Sequence, residues 1–230
     1  MTQTEESFEK WVQAYRRFHT DGSELRWPTE SLVRMFKGDY IPGLSKDYAG
    51  KSILDIGFGN GNNLIFFASL GLTLYGTEVS QDICDLISQK FVHLEQPAVL
   101  RVGTNRHLPF DDDAFDFVVS WNVLHYEGQY DLVADALREY RRVLKRGGRV
   151  IVSTVGPENG VFHNGRNLGE GRYQIGRDDD FRKGQVFFCF ETVDRIGDEF
   201  RNHFHDVLVG RVTETLFIGT NDTFLATGAK

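Results

Sequence analysis

The chain is poor in cysteine and proline, with two and five among 230 residues, and it has no long apolar run. Cys84 and Cys189 stand far apart, in neither a CxxC pair nor a ligand cluster, so a disulfide framework and a zinc site are both unsupported. No stretch approaches the roughly 18 apolar residues of a membrane-crossing helix. The opening MTQTEESFEK is acidic and polar, unlike a secretory signal, which makes the cytoplasm the expected compartment. An excess of positive charge is also missing. Lys and Arg number 26 against 33 Asp and Glu, a net charge of −7, which argues against a broad footprint for nucleic acid or anionic lipid. What remains, 40% hydrophobic and 26% charged residues, is the composition of a folded chain. The length suits one α/β domain with a full core.

Periodicity divides the chain. Phe8, Trp11, Val12, Tyr15 and Phe18 recur on one helical face, and a second helix runs through Leu32, Val33 and Phe36, with Glu30 and Arg34 one turn apart. From Lys51 strands and helices alternate. Strands are expected at 51–56, 72–77, 98–102, 115–120 and 149–155, with helices over 62–70, around Ile83–Leu94, and through Val133, Leu137, Tyr140 and Leu144 until Gly147-Gly148 stops the last. Such alternation implies right-handed crossovers and a largely parallel sheet. Residues 156–184 are glycine-rich, charged and aperiodic, and read as a long loop. An aromatic run at 186–190, a helix near 191–204 and two strands around 206–213 and 222–228 follow, the last two forming an antiparallel hairpin at the sheet edge. No repeat or second domain is visible.

The sharpest feature is Leu54-Asp55-Ile56-Gly57-Phe58-Gly59-Asn60-Gly61. Glycines directly after a buried strand let backbone approach a ligand at the carboxyl end of a parallel sheet, where the next helix aims its N–H groups. Glu78 ends the second strand, where a carboxylate can accept hydrogen bonds from both hydroxyls of a ribose. Together they indicate a nucleoside-containing cofactor. A dinucleotide site would place a third glycine at Asn62, and the GxGxG spacing with Asp55 two residues ahead departs from that pattern, which disfavours a nucleotide-dependent oxidoreductase.

Four blocks in order, LDIGFGNG (54–61), YGTEVS (75–80), LPFDDDAFDFVVSWNVLHY (108–126) and LREYRRVLKRGGRVIVST (137–154), resemble the class I S-adenosylmethionine-dependent methyltransferases, of the subgroup with an LPF-x-D-x-x-FD motif. The resemblance covers about residues 50–155. It implies a Rossmann-like sandwich on a seven-stranded, mostly parallel sheet in the order 3-2-1-4-5-7-6, with an antiparallel C-terminal strand. It also implies S-adenosyl-L-methionine as cofactor and S-adenosyl-L-homocysteine as product. Asp55, Gly57, Phe58, Gly59, Gly61, Glu78, Val79, Thr104, Asn105, Arg106 and Trp121 then become the cofactor-binding set, with Asp55 either ordering the loop or touching ligand. Arg146 replaces a proline common in the family, and Thr104-Asn105 stand where many relatives place an adenine-contacting acid.

The expected organisation is a single domain over 1–230: an N-terminal helical cap (1–48), a cofactor-binding core (51–155), a substrate lid (156–184) and a C-terminal helix and hairpin (185–230). Trp121, Asn122, His125 and Tyr126 follow the fourth strand, where relatives line the methyl-transfer site; His125 is the candidate base, or a packed helix-start residue. The lid holds His163, Asn164, Arg166, Arg172, Tyr173, Arg177, Arg182 and Lys183. Its arginines suit a carboxylate- or phosphate-bearing acceptor, and a solvated loop is the competing reading. Trp11, Tyr15 and Trp27 read as core residues, though an aromatic over the cationic sulfonium is the alternative. The triplets Asp111-Asp112-Asp113 and Asp178-Asp179-Asp180 read as polar turns, and no metal is expected. The expected reaction is methyl transfer to a small molecule or soluble glycan precursor, at oxygen, by a monomer or homodimer without nucleic-acid or membrane partners; no [DN]-P-P-[YF] block follows the fourth strand. The alternative is a non-catalytic protein that binds S-adenosylmethionine or S-adenosylhomocysteine.

Overall fold

Short apolar strands separated by amphipathic helices can bury both faces of a sheet only by crossing over it, and this chain does so from Ser52 onward. The computed structural model describes residues 9–17, 27–94 and 97–230. Strands β1 (Ser52–Ile56), β2 (Thr73–Glu78), β3 (Ala98–Val102), β4 (Phe115–Trp121) and β5 (Leu144–Val155) are joined by helices α3 (Asn62–Ser69), α4 (Gln81–His93) and α5 (Tyr130–Val143). Helix α6 (Val193–Arg201) leads into the hairpin of β9 (His205–Leu216) and β10 (Gly219–Ala229). The seven strands lie in the order β3-β2-β1-β4-β5-β10-β9, all running one way except β10, which is antiparallel to both β5 and β9. That is the expected 3-2-1-4-5-7-6 order, with the hairpin at the edge.

Two apolar layers flank the sheet. On one side α5 buries Leu137 and Tyr140 against β4 and β5, and α6 buries Ile196 and Phe200 against β9 and β10. On the other, α2 (Glu30–Lys37), α3 and α4 bury Phe36, Phe67, Ile87 and Phe91. The Phe36 ring is fully buried and packs against Tyr48, Phe66, Phe67 and Phe117, with centroids 5.1–6.1 Å away. Each such ring contributes roughly 1.5–3 kcal/mol by burial. On the exposed face of α2, Glu30 and Arg34 pair as the spacing predicts, with Arg34 Nε donating to Glu30 Oε1 at 3.0 Å.

Three expectations are corrected. Trp27 is 82% exposed and belongs to no core. Helix α5 ends at Val143, before the glycine pair, because Leu144 is already extended and pairs with Phe115; Gly147 (φ +76°) then lies in an irregular stretch of β5. Residues 156–184 are no plain loop. They carry β6 (Arg166–Gly169) and β7 (Arg172–Gln174), which form a small antiparallel sheet with β8 (Val186–Phe188). Phe187, Ile175 and Val161 give that sheet a core of its own. Of the first helix, residues 9–17 are helical (α1), whereas Phe8 and Phe18 lie outside the described residues. Among the described residues, no helix is long and apolar enough to cross a membrane, and no three His, Cys, Asp or Glu side chains are placed to hold a metal.

Candidate functional site

The glycine loop follows β1 at the carboxyl edge of the sheet. Gly57 N–H donates to Thr77 O at 2.8 Å, tying the loop to β2. Gly57 (φ +64°) and Gly59 (φ +54°) are left-handed, and neither has room for a Cβ: at Gly57 it would meet Val123 Cγ2 at 2.6 Å, at Gly59 the Tyr15 hydroxyl. Gly61 takes the same conformation as the cap of α3. Glu78 closes β2 with both carboxylate oxygens engaged, Gly59 N–H donating to Oε1 at 3.0 Å and Val79 N–H to Oε2 at 2.9 Å. Burial raises its pKa, and these two donors partly offset that. Asp55 is almost wholly buried beside it, its pKa pushed well up by burial and then by the Glu78 charge.

Buried polar atoms around this loop are left over. Among the described residues, Asp55 Oδ2, Asn60 Oδ1 and Thr77 Oγ1 have no hydrogen-bond partner, although such groups are nearly always satisfied. A polar ligand seated on the glycine loop meets that demand, and glycines whose Cβ space is already taken are what close backbone approach requires. The donor and acceptor set therefore fits a nucleoside cofactor with a ribose on Glu78. Phe58 is buried against Gly76 beneath the loop.

Beyond β3 and β4 the site is held by a residue that sequence reading missed. Glu127, in the short 3-10 turn Leu124–Glu127, accepts from Asn105 Nδ2 at 2.9 Å and from Arg106 Nε at 2.7 Å. The Tyr140 hydroxyl donates to Asn105 Oδ1 and lies 3.0 Å from Ser120 Oγ. The Asn105 amide is thus committed on both sides, and Thr104 pairs its backbone with His107. An isolated acid in HYEGQ carries no pattern that marks it; only the fold brings it under residues 105 and 106.

Trp121 ends β4, and Asn122 (φ +59°) is fixed by its N–H donating to Ser153 Oγ at 2.8 Å. His125 is 2% exposed, its ring 4.6 Å from Tyr126 and 4.5 Å from Phe187, with Nδ1 3.5 Å from Thr154 Oγ1. Burial, and then the nearby Arg182 charge, lower its pKa to about 3. The ring is therefore neutral at pH 7 and packed between the Tyr126 and Phe187 rings.

A roof lies over the loop. Tyr15 of α1 is half-buried with its hydroxyl against Gly59, and desolvation, then the nearby Glu78, Tyr126 and Asp55 groups, raise its pKa well above the ordinary value, so it stays a donor. Trp11 stacks on Tyr15 at 5.5 Å and meets Tyr126 at 5.4 Å and Phe181 at 4.7 Å edge-on. Arg182 grips Asp180 through two hydrogen bonds of 2.8 and 2.6 Å, bonds Tyr126, and lies over the Phe181 and Phe187 rings. Of the remaining 156–184 cations, Arg177 pairs with Asp179, Lys183 with Asp178 and Arg172 with Glu170. In the other acidic triplet, Asp112 pairs with Arg142 and Asp113 with Lys230. A hollow of about 270 Å³ opens between α1 and α4, lined by Tyr15, Arg16, Asp82 and Ile83.

Residues 54–152 match the methyltransferase domain family. An uncharacterized methyltransferase of Anoxybacillus flavithermus is 25% identical over 145 residues, 63% of this chain and 63% of its own length. The chain spans less than two thirds of the length of such curated relatives. Among solved structures, an S-adenosylmethionine-dependent methyltransferase of Methanosarcina mazei superposes with a TM-score of 0.69 at 17% identity, over 88% of this chain and 98% of that one. Phosphoethanolamine N-methyltransferase 2 of Haemonchus contortus, solved with S-adenosyl-L-methionine, gives 0.62 at 17% identity over 87% and 51%. At these identities the structures establish the fold.

Proposed function

We propose, from the methyltransferase-domain match at residues 54–152 as premise, that the protein binds S-adenosyl-L-methionine and transfers its methyl group to a small molecule. The observation that carries this is Glu78, a buried carboxylate anchored by the glycine loop beside three unmet polar atoms. When bound, the cofactor supplies an electrophilic sulfonium methyl. Glu78 holds the ribose, Gly57, Phe58, Gly59 and Gly61 admit the amino-acid moiety, and Asp55 orders the loop. Val79 and the Thr104 backbone flank the base, while Asn105 and Arg106 act through Glu127 and Trp121 forms a wall. The chain's task is alignment, since a nucleophile held in line near the methyl captures most of the attainable rate.

Oxygen remains the proposed acceptor atom, in a group that arrives already ionised. His125 is too weak a base at neutral pH, and Tyr126 is held protonated by burial. The roof formed by Tyr15, Trp11 and the 177–184 end of the lid excludes water from the transfer. Calorimetric titration with S-adenosylmethionine, S-adenosylhomocysteine and NAD tests the reading: heat from the first two and none from NAD is expected. Silence from both sulfur ligands overturns it. Binding without methyl transfer to any acceptor in a broad screen leaves the non-catalytic alternative.

A further inference from the structure

Strands β9 and β10 outrun the sheet they belong to. Thr223 pairs with Val155, the last residue of β5, so residues 213–222 continue as a two-stranded ribbon reaching roughly 15 Å past it. Because β10 runs antiparallel to β5, the ribbon leaves the carboxyl end of the sheet, the same end that carries the glycine loop, Glu78 and Trp121. Its root is clamped. Buried Asp222 accepts from Arg211 Nε at 2.7 Å, Thr213 Oγ1 at 3.0 Å and Glu158 N–H at 2.9 Å, and Arg211 also pairs with Glu158.

The tip is Leu216-Phe217-Ile218, with Phe217 and Ile218 fully exposed. Two-residue hairpin turns favour Asn-Gly, because left-handed backbone strains larger side chains. Here an aromatic residue sits at φ +52° beside a β-branched one. Neither hairpin stability nor solubility is served by that choice, which points to a contact at the tip.

We propose that this tip docks the protein on a lipid bilayer, inserting Leu216, Phe217 and Ile218 at the headgroup–acyl boundary. A second copy is a poor occupant. Three side chains on a convex ribbon end cover far less than the roughly 1,200–2,000 Å² of a stable interface, whereas a bilayer adapts to a narrow apolar finger. Thr213, Thr215, Thr220 and Asn221, with one exposed carboxylate at Glu214, form a polar collar behind the tip, suited to the headgroup layer. With a net charge of −7 the attraction is apolar, not electrostatic, and it is weak and reversible like that of a single acyl chain. This departs from the expectation of no membrane partner. Joined to the proposed methyl transfer, it turns the cleft toward a lipid-borne acceptor, but the docking stands apart from that reading.

Flotation of the full chain with phosphatidylcholine vesicles tests it. The wild type is expected to float, insensitive to added salt, and the double variant Phe217→Asn/Ile218→Gly to lose partitioning by roughly a hundredfold. That variant carries the preferred turn, so its Tm is expected to be equal or higher. A wild type that stays in solution, or a variant that floats equally well, overturns the proposal. So does a concentration-dependent dimer that the double substitution dissolves, which would make the occupant a second copy.

Discussion

Two buried ionisable side chains set what single substitutions report. Glu78 spends one lone pair per oxygen on backbone N–H groups and keeps the others for ligand, so Glu78→Ala removes a charge-assisted contact and the anchor of Gly59 together. Cofactor affinity should fall by about 2–3 kcal/mol, some 30- to 150-fold in Kd by calorimetry. An unchanged Kd would remove the ribose assignment. His125 reports through pH. Its pKa is depressed to about 3, so below about 6.5 the unfolded chain takes up a proton that the native chain refuses. Stability then drops as pH falls through that window, and by pH 5 this one site accounts for about 2 kcal/mol. His125→Gln should flatten the acid limb of denaturant unfolding by that amount and leave turnover near wild type. Turnover lost at every pH, with folding intact, would return the ring to catalysis.

Helices and strands differ in how firmly the sequence announces them. Phe36 pins α2 to the α3 side of the sheet through four aromatic neighbours, and Phe36→Ala should cost about 3–5 kcal/mol, read as a shifted denaturant midpoint with unchanged slope. A loss under 1 kcal/mol would show that α2 is only peripherally docked. That helix was legible because Leu32 and Phe36 stand one turn apart beside the Glu30–Arg34 pair. Strands β1 and β4 and the 149–155 part of β5 were legible because a parallel strand buried on both faces reads as a nearly continuous apolar run. Strands β6 and β7 were not, since they are three or four residues of Arg, Asn, Tyr, Gln, Leu and Gly that owe their form to Phe187 and Ile175 packing beneath them. Likewise the glycine loop and Glu78 could be read from spacing, whereas Glu127 and Phe181 reach the site across the fold, with no local signal to mark them.

Across the whole molecule, the cleft joins parts distant in sequence. Helix α1 pairs with no strand and meets the rest of the chain mainly above the glycine loop, where Trp11 bridges Tyr15 to Tyr126 and Phe181. Stability of the ligand-free chain therefore resides in the sheet and its two apolar layers, and the roof matters chiefly once a ligand lies beneath it. At a hundredfold excess over Kd, ligand adds about 2.7 kcal/mol, or roughly 5–11 °C in Tm for a chain of this size. Trp11→Ala should leave the ligand-free Tm within about 2 °C of wild type, yet shrink the S-adenosylhomocysteine-induced shift by several degrees, because the rings that close over the ligand lose their common neighbour. A scanning-fluorimetry pair with and without ligand separates the two readings of this helix. If the ligand-free Tm falls as far as for Phe36→Ala while the induced shift is preserved, α1 is part of the core, and water must be excluded from the transfer by the lid alone.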